Sequence, residues 1–203
     1  MQRYIAFLSG LPVGYGVEGM GELRRLFSQL GFSRVETFLT TGNVAFETAP
    51  VGVIAPLEAQ LTRYLQKNLD DSVEVFLRTP EQLSEMLGYE PFPGEDIEAE
   101  GASLFIVLLH EPISPNVERR LRRSRTDVDD FHPHGNSIYW LRRPAEGESS
   151  PPPAIGEVIA MPATVRTLST IRALVAKYGD NPPAQRRDVG EHEPATESER
   201  FRP

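Results

Sequence analysis

Phe38-Leu39-Thr40-Thr41-Gly42-Asn43-Val44-Ala45-Phe46 and Phe131-His132-Pro133-His134-Gly135-Asn136-Ser137-Ile138-Tyr139 read as two versions of one segment. In each, an aromatic opens a stretch that passes through Gly-Asn and closes on a second aromatic. Gly-Asn between apolar stretches is a hairpin signal, because both residues tolerate the left-handed backbone of tight turns. Arg78-Thr79 precedes one helical pattern and Arg166-Thr167 another. Two markers recurring at similar offsets, 93 and 88 residues, indicate an internal duplication. A repeat fixes architecture more firmly than any single motif.

Working outward, Tyr4–Leu8 is a continuous apolar run, as a strand buried on both faces requires. A glycine-rich loop, Gly10–Gly16, follows it. Met20, Leu23, Phe27 and Leu30 then recur at helical spacing, and Gly31 is placed to end that helix. Val35–Leu39 and Val44–Phe46 are predicted strands joined through Gly42-Asn43. Ile54, Leu57, Leu61 and Leu65 mark a second helix, and Val73–Leu77 a fourth strand. The order β-α-β-β-α-β is the ferredoxin-like unit. Thr79-Pro80-Glu81-Gln82 reads as an N-cap, a proline at the first helical position and the glutamine of a capping box, opening an added helix.

The second copy starts at Ser103–Leu109, with a short helix at Pro115–Arg125 and a hairpin from Val128–Phe131 and Ile138–Leu141. Where the copy needs its second helix, the chain has the Pro-, Ser-, Gly- and Glu-rich stretch Pro144–Pro153. Only Ile155–Ala160 remains for a shortened helix. Thr164–Arg166 is the predicted last strand, and Leu168, Ile171, Val175 and Tyr178 line a final helix ended by Gly179. The fold expected is therefore α+β, with tandem ferredoxin-like lobes at residues 1–89 and 102–179. Residues 90–101 serve as a linker and 180–203 as a disordered, Pro-rich charged tail.

The chain has 203 residues and no cysteine, so disulfides and thiolate metal sites are excluded. No apolar run approaches the roughly 18 residues of a membrane span, and the N-terminus reads as a strand instead of a signal segment. A soluble cytoplasmic protein is expected. Residues 1–100 carry 7 basic and 15 acidic side chains, whereas residues 101–178 carry 10 and 8. An acidic first half argues against general nucleic-acid binding, which needs a basic surface for counterion release.

Three blocks carry a family resemblance: Ala6–Gly14, Thr41–Phe46 and Met161–Thr167. In their order and spacing, from Tyr4 to about Tyr178, the chain resembles DUF family 1697, bacterial domains with no known function. The resemblance implies tandem ferredoxin-like lobes. The family's first loop usually reads L-R-G-I-N-V-G-G, and here Ser9 replaces its arginine and Pro12 its asparagine. Its last block usually reads T-x-R-N-W with a lysine in the following helix. Arg166 is kept, while Thr167, Leu168 and Ala173 replace the other three. The family's serine-lysine segment falls at Ser149–Ile155. Several polar groups are thus missing together, which implies a divergent member with lost or altered activity.

The candidate ligand residues are Ser9, Gly10, Gly14 and Gly16 of the first loop, with Arg166 and Thr167. A loop between strand and helix is where phosphates are cradled, although this one has no Walker lysine and no G-x-G-x-x-G. The plain reading is a simple connection, with Arg78 and Arg166 pairing with local carboxylates to hold the lobes together. The sharper reading gives Arg166 an anionic ligand group near the Ser9–Gly16 loop. Arg119, Arg120, Arg122 and Arg123 form a candidate polyanion patch, otherwise a solvated face. His132 and His134 read as part of a solvated turn. No metal site or cofactor is assigned, and no nucleophile elbow or H-E-x-x-H is present. The leading expectation is a non-catalytic binding or interaction module. The alternatives are an enzyme acting on an anionic substrate between the lobes, and a nucleic-acid binder using the second-lobe arginines.

Overall fold

The computed structural model describes residues 1–12, 15–97, 99–143 and 155–179. The first copy folds as β1 (Gln2–Ser9), α1 (Gly16–Gln29), β2 (Ser33–Phe38), β3 (Asn43–Thr48), α2 (Ala55–Asn68) and β4 (Glu74–Arg78), followed by α3 (Pro80–Gly88). The second folds as β5 (Ser103–Leu108), α4 (Pro115–Arg123), β6 (Asp129–His134), β7 (Ser137–Arg142), α5 (Ile155–Ile159) and β8 (Thr164–Thr167), followed by α6 (Leu168–Tyr178). Each copy makes an antiparallel four-stranded sheet, ordered β2-β3-β1-β4 and β6-β7-β5-β8. The strand orders coincide, and each copy is a ferredoxin-like unit with one added helix. The shortened helix is α5, with 5 residues against the 14 of α2.

Local chemistry explains the helix ends. Gly31 sits at φ +83° just past α1, a conformation that costs glycine little. Thr79 accepts a hydrogen bond from the Gln82 N–H, and the Gln82 side chain accepts one from the Thr79 N–H, completing the capping box of α3. Thr167 caps α6 by accepting from the Thr170 N–H.

Strand periodicity then sorts the side chains into three cores. Tyr4, Ala6 and Leu8 of β1 face α1 and α2, meeting Leu23, Phe27, Leu61 and Leu65. Val107, Phe131, Ile138 and Trp140 face α4 and α5, meeting Leu121, Ile155 and Ile159. The third core lies between the sheets, where Ile5, Phe7 and Phe76 of the first meet Ile106, Leu108 and Tyr139 of the second. Leu83 of α3 and Ile171 and Leu174 of α6 fill that layer. Phe92, from the segment expected to act as a linker, is buried in the same core.

Two expectations need correction. His132 and His134 belong to strand β6, which pairs with β7 through Pro133↔Ile138. Because β6 is a sheet edge, the missing proline N–H is tolerated there. The two Gly-Asn pairs are also not equivalent turns. Phe38 pairs with Asn43, so the first hairpin loop is residues 39–42, with positive φ at Leu39 and Gly42. His134 pairs with Ser137, so the second is only Gly135-Asn136, with positive φ at Gly135 alone. Neither asparagine is left-handed. The expected tail, residues 180–203, and the whole Pro144–Pro153 stretch lie outside the described residues, as does Gly14.

The shared middle core makes one expectation about cooperativity. Phe76→Ala, in the first copy, removes a fully buried ring and is expected to cost about 3–5 kcal/mol. Denaturant unfolding followed by Trp140 fluorescence, a probe in the second copy, should register that whole loss in one transition. A Trp140 midpoint that does not move would mean the two sheets unfold independently.

Candidate functional site

The polar centre of the molecule is a pair of arginines that close each copy's sheet. Arg78 pairs with Ile5 across β4 and β1, and Arg166 pairs with Ile106 across β8 and β5. Each next residue caps an added helix, so the chain turns sharply and the arginine side chain points toward the other copy. Arg166 Nη2 donates to the Leu8 and Thr41 carbonyls at 2.9 and 3.0 Å, and Nη1 to Thr164 Oγ1 and the Val165 carbonyl at 2.7 and 2.8 Å. Its Nε donates to Asn43 Oδ1 at 2.7 Å. Arg78 Nη2 donates to the Leu109 and Asn136 carbonyls at 2.7 and 3.0 Å, and Nη1 to the Leu77 carbonyl at 2.7 Å. Leu109 follows β5 as Leu8 ends the core of β1, so each arginine holds the same strand end and hairpin loop of the opposite copy.

Burial pushes both guanidinium groups down to about 10, and at neutral pH they stay charged. The expected carboxylate partners are largely missing. Arg166 sits among carbonyl and amide oxygens and over the Phe7 ring at 5.5 Å. Among the described residues Arg78 has only Glu58, at 3.9 Å. Carbonyl dipoles supply the compensation that such burial demands.

The two clasps differ at one position. Asn43 pairs with Phe7 and Ser137 with Leu108, while the Leu8 N–H meets the Gly42 carbonyl and the Leu109 N–H the Asn136 carbonyl. Ser137 is therefore the counterpart of Asn43. Asn43 bridges Arg166 Nε to its own loop, donating to the Phe38 carbonyl and Thr41 Oγ1 at 3.0 and 2.9 Å. Ser137 is too short for this. Arg78 Nε and Ser137 Oγ are both buried with no hydrogen-bond partner among the described residues. Arg78 and Ser137, each 2% exposed, line a cavity of about 200 Å³ together with Gln82, Glu85, Met86, His134 and Tyr139. Sequence reading missed this site, because aligning the two Gly-Asn pairs put Asn43 opposite Asn136.

The first-loop candidates sit elsewhere. Ser9, Gly10 and Gly16 line an open groove with Leu11, Tyr15 and Thr41, and no ionised side chain faces it among the described residues. Gly10 is there for space, since a Cβ at its φ of +67° would lie 2.0 Å from the Ser72 carbonyl oxygen. Arg166 reaches Leu8 at the start of this loop, but each of its three nitrogens already serves a protein acceptor. Thr167 is occupied as a cap. On α4, Arg119, Arg120, Arg122 and Arg123 are all exposed. Arg119 donates to Asn116, Arg122 pairs with Glu118 at 2.5 Å, and Arg120 donates to the Ile159 carbonyl at 3.1 Å, fastening α5.

Two aromatic and histidine clusters went unpredicted. Tyr89 bonds His132 Nε2 through its hydroxyl at 2.7 Å and stacks on His134 at 3.8 Å. Burial, with His134 beside it, holds His132 below its usual range. Tyr139 donates to the Met86 carbonyl at 3.0 Å, and burial pushes its hydroxyl up to about 12. On the far side of Arg78, His110 Nδ1 lies 3.1 Å from Glu58 and Nε2 3.6 Å from Glu74, with its ring stacked on Phe76 at 4.3 Å. Glu58 also accepts the Leu77 N–H at 2.6 Å. A carboxylate only accepts, so Nδ1 carries the proton, and the Glu58 bond holds the imidazole above its usual range against the opposing effect of burial.

A histidine raised in the folded state stabilises fully below its unfolded pKa, near 6.5, and loses that contribution as pH rises through its folded value. His110→Gln is thus expected to lower the melting temperature more at pH 6 than at pH 9. An equal loss at both would show that the pair with Glu58 and Glu74 carries no net charge interaction.

Among the described residues no helix is long and apolar enough to cross a membrane. No curated protein matches the sequence. The solved structure of conserved bacterial protein SP0830 from Streptococcus pneumoniae shares the fold, with a TM-score of 0.66 at 19% identity, covering 89% of this chain and 99% of that one. The family model described as protein of unknown function (DUF1697) matches residues 1–139, more than half of the sequence, and the chain belongs to that family.

Proposed function

We propose that this chain is a non-catalytic binding module of the bacterial cytoplasm, taking a small anionic ligand between its lobes. The observation that carries the reading is the cavity beside Arg78 and Ser137, where a buried cation keeps an unused donor. The Ser9–Gly16 groove is a weaker candidate, because Arg166 has spent its donors on protein acceptors and nothing ionised replaces it among the described residues.

A second reading, an enzyme acting on an anionic substrate between the lobes, has one observation in its favour. His110 and Glu58 form a hydrogen-bonded pair lining a cavity of about 320 Å³ with Arg63 and Gln66, the arrangement of a base and its orienting carboxylate. The structural account of that pair is equally direct, since Glu58 satisfies Leu77 and screens Arg78. The exposed arginines of α4 support, at most, weak and salt-sensitive polyanion binding.

A metabolite screen by thermal shift tests the binding reading, since bound ligand stabilises the folded state by mass action. An anionic hit that the protein leaves chemically unchanged is the expected result, and turnover that His110→Gln abolishes would favour the enzyme. Arg166→Gln separates structure from recognition. It should cost roughly 1.5–3 kcal/mol, the range for hydrogen bonds to a charged group, while the hit's thermal shift survives. Loss of that shift without loss of stability would return Arg166 to the ligand site.

A further inference from the structure

The two clasps offer an internal control, since one chain carries the same arginine twice in nearly the same frame. Around Arg166, the Nε–H is met by a carbonyl-type oxygen from a side chain, Asn43 Oδ1, at 2.7 Å. Around Arg78, the same strand position carries Ser137, whose hydroxyl has no hydrogen-bond partner among the described residues. It and Arg78 Nε are sealed from solvent, so a ligand in the cavity that both residues line reaches them only as that wall opens. The hairpin loop is also shorter by two residues on this side, which removes the counterpart of Thr41, whose hydroxyl Asn43 holds in the other copy.

From this we infer that the Arg78 side is a carboxylate-binding site, in which a small ligand supplies the oxygen that Asn43 supplies to Arg166. The inference deepens the binding-module reading and rests on it. Arg78 brings a positive charge, and its Nε–H is a donor only. Ser137 brings a hydroxyl able to donate to the same group. A buried donor without an acceptor costs free energy, and an anionic oxygen is the acceptor that recovers most of it.

The rest of the lining sets the size and character of the ligand. Met86 and the Tyr139 ring give apolar wall, while the Tyr139 hydroxyl is already committed to Met86. The Gln82 side-chain oxygen is committed to the Thr79 N–H, leaving its amide N–H groups to donate. Glu85 and His134 are exposed lining residues. Glu85 repels a second negative charge, so a short monocarboxylate suits the cavity better than a dicarboxylate or a phosphate. A cavity of about 200 Å³ that opens to solvent admits a short carboxylate with room to spare.

The experiment uses the full chain, with acetate and propionate as probes against chloride at equal ionic strength. Wild-type protein should gain a few degrees in melting temperature with the carboxylates and little with chloride or inorganic phosphate. Ser137→Asn restores the residue type found opposite Arg166. It should raise the melting temperature without any ligand by roughly 2–4 °C, the shift that one added hydrogen bond gives a chain of this size, and it should abolish the carboxylate response. Ser137→Ala, which keeps the fold but removes the hydroxyl, should weaken the response without raising the basal value.

A response that persists undiminished in Ser137→Asn would place the carboxylate elsewhere and overturn the inference. No response in wild type, with Ser137→Asn still stabilising, would reduce the cavity to a packing gap. That result leaves the binding-module reading standing if the metabolite screen finds a ligand, and ends both if it does not. A larger response to phosphate than to acetate would overturn the ligand class.

Discussion

A buried guanidinium in each copy, reaching across to hold the loop and strand end of the other, is the contact on which the arrangement of the lobes depends. Arg78 donates to Leu109 while Arg166 donates to Leu8, and each also takes the carbonyl that precedes its partner's hairpin strand. Burying two cations is costly without compensation. The compensation here is geometric: a flat fork of donors meets carbonyls clustered at a strand end and hairpin loop, each able to accept two hydrogen bonds. Reciprocal contact of this kind, where one patch grips its own equivalent, is the pattern of an isologous dimer interface. Here the two partners are joined in one chain.

That constraint explains why the middle layer looks as it does. The added helices α3 and α6 each begin two residues after their arginine, so gripping the opposite hairpin also sets where each helix enters. They pack against each other between the sheets, with Leu83 on one and Ile171 and Leu174 on the other. A ferredoxin-like sheet normally has one face covered by its own helices. The second face of each sheet would be exposed apolar surface without the other copy, which is why Tyr4–Leu8 is buried throughout.

The fold was legible because it rests on local chemistry and periodicity. The apolar run of β1, the capping box at Thr79 and the glycine after α1 each depend on residues within a few positions of one another. The site was legible only in part. Arg166, its likeness to Arg78 and the cap at Thr167 were readable, but the acceptors that each arginine finds in the opposite copy lie more than 30 residues away and are mostly backbone carbonyls, which carry no residue signature. The register slip at the Gly-Asn pairs has a physical cause as well. A four-residue loop and a two-residue loop place the same dipeptide one position apart relative to the strand. The histidines of β6 were misread because Pro133 signals a turn unless the strand is known to be an edge.

The same comparison shows where the copies have diverged. Thr164, opposite Leu108 in the second sheet, corresponds to Phe76, opposite Phe7 in the first. Thr164 gives Arg166 a hydroxyl acceptor, whereas Phe76 gives Arg78 nothing polar and instead supports the His110 ring. Asn43 and Ser137 differ in the same sense. Arg166 is therefore satisfied by neutral acceptors in a closed environment. Arg78 has lost two of them and faces Glu58 with His110 on one side and a cavity on the other. A clasp that serves only to join the lobes would be expected to stay saturated, as the Arg166 side has. Among the described residues, the unsatisfied polar chemistry of this chain therefore lies at the Arg78 clasp.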